Sequence, residues 1–130
     1  MCLWYVKDMK IYLKLSVLND QGMAVIGKGS IHLLRNIERL GSINQAAKEM
    51  DMSYVKALKI IRKMESSLGS KILNTTIGGK NHGGSELTPL AVKLLNLFTA
   101  YETKVENFAN KQFIMMEKHL DAMREKEIDS

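Results

Sequence analysis

At 130 residues the chain has room for one domain, or for a small domain plus one extended element, and not for two full domains. With 45% hydrophobic and 25% charged residues it has the composition of a folded globular protein, which excludes a disordered chain, and no apolar run approaches the ~20 residues of a membrane span. The net charge of +5 favours acidic partners, and the lone Cys2 excludes an internal disulfide and a thiolate metal centre, which fits a reducing cytoplasm. The N-terminal run MCLWYVKDMK has no basic segment followed by an apolar stretch, so no secretory signal is expected.

Along residues 9–17 apolar and polar side chains alternate, with Met9, Ile11, Leu13, Leu15 and Val17 on one side and Lys10, Tyr12, Lys14 and Ser16 on the other. This predicts a half-buried strand. Asn19, Asp20, Gln21 and Gly22 supply turn chemistry, and residues 23–26 are expected to return as the second strand of a hairpin. Ser30 is placed to cap a helix running to about Leu40, with Ile31, Leu33, Leu34, Ile37 and Leu40 on its core face and Gly41 at its end.

Residues 41–68, GSINQAAKEMDMSYVKALKIIRKMESSL, predict two helices joined by a tight turn. Ser42 caps the first, which carries Ile43, Ala46, Ala47 and Met50 at helical spacing and stops at Asp51; Ser53 caps the second, which ends at Gly69. Ala46 and Ala47 are small enough for one helix to cross closely over another, as a helix-turn-helix requires. In the second helix Ala57, Leu58, Ile61, Met64 and Leu68 should pack inward, while Lys56, Lys59 and Lys63 face outward with Val55 and Arg62 beside them. Two short β-prone segments around Gly78–Gly79–Lys80–Asn81–His82–Gly83–Gly84 predict a wing whose glycines leave backbone N–H groups open to a phosphate. A nucleotide-binding loop is disfavoured, because neither G-x-x-x-x-G-K-[ST] nor a βαβ unit is present.

Thr88–Pro89 is a helix start, a hydroxyl cap followed by proline at the first position, and no proline or glycine follows to the end of the chain. Leu94, Phe98, Tyr101, Val105, Phe108, Gln112 and Met115, continued by Met116, Leu120 and Met123, form a heptad-like seam about 40 Å long. So long a seam predicts pairing with a second copy.

The position of the charge is more informative than its size. Between residues 53 and 85 stand Lys56, Lys59, Arg62, Lys63, Lys71 and Lys80 against the single acid Glu65, and the remainder is neutral. A charge run alone is commonly a solvated face, but here the excess coincides with the second helix and the wing, so the expected partner is double-stranded DNA with residues 53–68 in the major groove. The methionines at helical spacing are core or interface filler, and His32, His82 and His119 lack zinc-spaced partners, so neither metal nor cofactor is expected. The carboxylates Glu102, Glu106, Glu117 and Asp121 form a solvated helix face, and no nucleophile–base pair can be assembled, so the chain is expected not to be an enzyme.

With GSINQAAKEMDMSY, GGKNHGG and LTPLAVKLL in this order, the sequence resembles the DNA-binding half of the molybdate-responsive, ModE-type regulators over roughly residues 27–101. The Gly41–Ser42–Ile43 and Ala46–Ala47 part alone is shared with LysR-type regulators. The resemblance implies a prokaryotic winged helix-turn-helix regulator that dimerises and binds a palindromic operator. Asp51 stands where the turn often has glycine, Leu58 where an aromatic is common, and Ala91 where a glycine is usual. Full-length members carry C-terminal oxyanion-binding domains, whereas this sequence stops on the long helix, so DNA binding without molybdate binding is expected.

The expected fold is mainly α with small β (α+β): a winged helix-turn-helix over residues 1–88, with an N-terminal β-hairpin, continuing into a long dimerisation helix over residues 89–130. Candidate DNA-binding residues are Ser42, Ser53, Tyr54, Lys56, Lys59, Arg62, Lys63, Gly79, Lys80 and His82. Those for the homodimer are Leu94, Phe98, Tyr101, Val105, Phe108, Met115 and Leu120. The protein would act in the cytoplasm, associated with the nucleoid. A winged-helix protein-interaction module and an architectural DNA-binding protein of little sequence preference are the alternatives.

Overall fold

The structure, a computed structural model, describes residues 9–76 and 84–129. The elements in order are β1 (Ser16–Leu18), β2 (Ala24–Gly27), α1 (Lys28–Leu40), α2 (Ile43–Glu49), α3 (Tyr54–Leu68), β3 (Leu73–Thr76), β4 (Gly84–Leu87) and α4 (Pro89–Asp129). The described residues divide into two compact units, one within Lys14–Thr99 and a second that includes residues 9–13 and 100–129.

The first unit is the winged helix-turn-helix. Its core is built from Val25, Ile26, the α1 stripe Ile31, Leu33, Leu34 and Ile37, then Ile43, Ala46 and Ala47 of α2, Ala57, Ile61 and Met64 of α3, Ile72, Leu73 and Leu87 of the wing, and Ala91, Leu95 and Phe98 of α4. Burying each large side chain fully contributes about 1.5–3 kcal/mol, so the core residues of α1 are the largest single contribution. The unit runs through Thr99 because the first turns of α4 supply part of this core.

The N-terminal hairpin is shorter than the alternation predicts. β1 pairs antiparallel with β2 only from Ser16 opposite Gly27 to Leu18 opposite Ala24, with an irregularity after Val17. β2 ends where α1 begins, so among the described residues no strand lies opposite residues 9–15. Met9, Ile11 and Leu13 are exposed as a result, and only Leu15 packs against the core. The turn is as its composition suggests: Asn19 Oδ1 accepts from the N–H groups of Gln21 and Met23, each at 3.0 Å, and Gly22 takes φ 79°.

α1 starts three residues before the position expected from Ser30. Gly27 is its N-cap, and Ser30, now in the first turn, reaches back to accept from the Gly27 N–H at 2.9 Å. Gly41 ends the helix in the left-handed region at φ 70°, its N–H bonded to Ile37 O at 2.7 Å. Ser42 then caps α2 by accepting from Gln45 N–H at 3.2 Å. The turn between α2 and α3 closes through three bonds, Met50 N–H and Met52 N–H to Ala47 O and Asp51 N–H to Lys48 O. Asp51 is the one non-glycine residue at positive φ among those described, at 53°, a conformation that Asp tolerates better than most residues.

β3 and β4 pair antiparallel from Leu73 opposite Leu87 to Thr76 opposite Gly84. Two bonds tie the root of this wing to its neighbours: Glu65 Oε2 of α3 accepts from Ile72 N–H at 2.8 Å, and Thr88 N–H donates to Ile72 O at 2.9 Å. Thr88 Oγ1 donates to Lys71 O and accepts from Ala91 N–H, which caps α4 ahead of Pro89 as its sequence indicates. Ala91 is fully buried, so the core accommodates a methyl group where the family pattern has glycine. On the surface, Arg39 of α1 pairs with Glu49 of α2, an exposed contact of the kind that contributes about 1 kcal/mol or less.

In the second unit α4 continues as one helix to Asp129. Tyr101, Phe108, Ile114, Met115, Met116, Leu120 and Met123 are exposed along it. No described helix is long and apolar enough to cross a membrane.

Substitutions at two positions test this architecture. Leu34→Ala, at a fully buried position, should cost about 2–5 kcal/mol in denaturant unfolding. Asp51→Gly should be tolerated, whereas Asp51→Val, with a β-branched side chain at positive φ, should cost about 1–2 kcal/mol in the same measurement.

Candidate nucleic-acid interface

α3 is held from behind and open in front. Ser53, in extended conformation, caps it by accepting from Lys56 N–H at 3.1 Å, and Gly69 ends it at φ 67° with its N–H on Glu65 O. Ala57, Ile61 and Met64 are buried, and Leu58 and Ile60 pack partly against the same core. Tyr54, Val55, Lys56, Lys59 and Arg62 are exposed on the other side, and Lys63 is half-buried. Val55, at 60% exposure, is a large apolar side chain left amid cations on the surface.

Among the described residues none of Lys56, Lys59, Arg62 and Lys63 is paired with a carboxylate. Glu65, the one acid in the basic tract, turns its carboxylate to the Ile72 amide. The outer face of α3 therefore presents uncompensated positive charge. Ser42 and Ser53 both use their hydroxyl oxygens to cap helices, so their observed role is to set the entry of α2 and α3. Gly79, Lys80 and His82 lie outside the described residues.

Three expectations change. Leu68, placed inward by periodicity, is exposed at the last turn of α3, where it borders an open groove with Val17, Leu18, Val25 and Ile26 of the hairpin. Leu94 and Phe98, placed on the pairing seam, also meet the domain's own core: Phe98 is 6% exposed and the half-buried Leu94 packs against the same cluster. Helical spacing cannot distinguish the two uses, because both put an apolar residue every three or four positions. Tyr101, Phe108, Met115 and Leu120 are exposed and Val105 is half-buried.

Sequence reasoning missed two cations beside α3. The hairpin packs against α3 and the first turn of α1, and between them lies a cleft of about 330 Å³. Lys14, Lys28, Lys56 and Lys63 line it together with Ser16, Gly27, Gly29, Ser30, Met52 and Ile60. Lys14 and Lys28 belong to the part of the sequence whose charges cancel. Only folding the hairpin back onto α3 brings them to the basic face.

Residues 29–91 match the bacterial regulatory helix-turn-helix protein family of lysR type. The chain is 34% identical over 102 residues to the transcriptional regulator ModE of Haemophilus influenzae, an alignment covering 78% of this chain and 39% of that protein. It is 37% identical over 89 residues to the molybdenum-pterin-binding protein MopB of Rhodobacter capsulatus, covering 68% and 33%. With the DNA-binding transcriptional dual regulator ModE of Escherichia coli K12 it shares 35% identity over 68 residues, covering 52% and 26%. The chain thus spans between a quarter and two fifths of the length of these curated relatives. Residues 29–91 are thus a lysR-type bacterial regulatory helix-turn-helix domain, and over 68 to 102 residues the chain is similar to these ModE-type proteins.

Proposed function

We propose that the protein is a sequence-specific DNA-binding transcriptional regulator that acts as a homodimer in the cytoplasm, on the nucleoid. The observation that carries this is the outer face of α3: a row of cations with no carboxylate partner among the described residues, on the second helix of a lysR-family helix-turn-helix. Lys59 and Arg62 are assigned to the major groove, where long cationic side chains reach guanine edges as well as phosphates. Tyr54 stands exposed at the first turn of α3, suited to the sugar–phosphate edge of the same groove. Gly79, Lys80 and His82 are assigned to the neighbouring backbone by their sequence alone. The role is one of binding, not catalysis, and no residue of this domain is assigned to molybdate.

Dimerisation is supported by the apolar side chains left in solvent along α4. Phe108 is 65% exposed, and Tyr101, Met115 and Leu120 are exposed with it. One helix burdened with this much open apolar surface gains stability by covering it with a copy of itself. With Leu94 and Phe98 used by the core, Tyr101, Val105, Phe108, Met115 and Leu120 remain as the proposed interface.

Two measurements test the proposal. In mobility-shift or fluorescence titrations, log K for DNA should fall with log salt by roughly 0.9 per neutralised phosphate, and Lys59→Glu should abolish binding while the circular dichroism spectrum and melting stay unchanged; a flat salt response would sink it. In sedimentation equilibrium the protein should be a dimer at micromolar concentration and the Phe108→Glu/Leu120→Glu variant a monomer, whereas a monomeric wild type would remove the homodimer.

A further inference from the structure

We infer that the N-terminal β-hairpin is a second DNA-contacting flank of the domain, with the cleft between the hairpin, the start of α1 and α3 seating the phosphodiester backbone of the strand beside the groove that α3 enters. This rests on the DNA-binding reading of α3 and extends it to residues outside the helix-turn-helix.

Four lysines line the cleft and no acid does. Lys56 and Lys63 come from α3, Lys28 from the first position of α1, and Lys14 from the segment leading into β1. None of the four has a carboxylate partner among the described residues. Four like charges around one small opening repel one another, and a polyanion laid across them turns that repulsion into attraction.

The cationic row of α3 is thereby divided. Lys56 and Lys63 border the cleft, whereas Lys59 and Arg62 do not. Lys56 and Lys63 are seven residues apart, about 10 Å along the helix axis, a length over which one DNA strand carries about three phosphates. Lys59 and Arg62 keep the assignment to base edges, and the cleft lysines take the backbone.

The cleft suits an extended backbone better than a small free anion. Lys14, Lys28 and Lys56 are exposed and Lys63 is half-buried, so the cations stand at the rim of an open trough, with no enclosed polar cage beneath them. At Gly29 an added Cβ would meet nothing within 4 Å, so the main chain there is open to a close approach.

The test is the Lys14→Ala/Lys28→Ala variant of the full chain, both positions being exposed and outside the core. With melting unchanged, its affinity should fall roughly tenfold or more at low salt, alike for selected-site and random duplexes. Its salt slope should become shallower by about one for each lysine removed per bound chain. Phosphate-ethylation interference should lose a position flanking the groove. If the variant matches wild type in affinity and slope while Lys59→Glu loses binding, the hairpin is not a contact and only the α3 reading stands. If the wild type binds no DNA, both fall. If inorganic phosphate shifts the Lys28, Gly29 and Ser30 amides in NMR spectra while saturating DNA leaves them unmoved, the cleft is a free-anion site and the inference is overturned.

Discussion

The closeness with which α2 meets α1 and α3 is the constraint on which the functional surface depends. Ala46, Ala47 and Ala57 are almost completely buried, and each places no more than a methyl group in the contact. A larger residue at any of these positions would move α3 outward or turn it about its axis. A turn of one residue's worth, 100° in a helix, would exchange Lys59 for a core side chain. The identity of the outward face is therefore decided by small residues buried inside the domain.

Much of this was legible in the sequence because local chemistry and tertiary packing agree there. Ser42, Ser53 and Thr88 act as caps where hydroxyls precede helical runs, Gly41 and Gly69 close helices in the left-handed region, and Asp51 takes the positive φ that its place in the turn requires. Other features depend on partners distant in sequence. The alternation over residues 9–15 has the pattern of a strand, yet a strand needs a neighbour, and β2 ends too soon to provide one. Ser30 has the chemistry of an N-cap but bonds from inside the first turn, because Gly27 is already extended against Ser16 of β1.

The candidate site follows the same division. Lys56, Lys59 and Arg62 were legible because one helix face can be computed from spacing alone. Lys14 and Lys28 were not, since a charge sum along the sequence assigns them to a neutral remainder while the fold puts them beside α3. Phe98 and Phe108 stand ten residues apart on one helix with the same apolar signature, and only the position of the domain beneath the first separates a core residue from an exposed one.

The bond from Glu65 to the Ile72 amide has a mechanical consequence. A carboxylate near the end of α3 grips the main chain one residue before β3, and Thr88, just beyond β4, grips Ile72 and Lys71 from the other side. Helix end, strand root and the cap of α4 are thus pinned at one knot of three hydrogen bonds. Any displacement of the start of α4 therefore bears on α3 through Glu65, near the end of the helix, and not through Lys56, Lys59, Arg62 or Lys63.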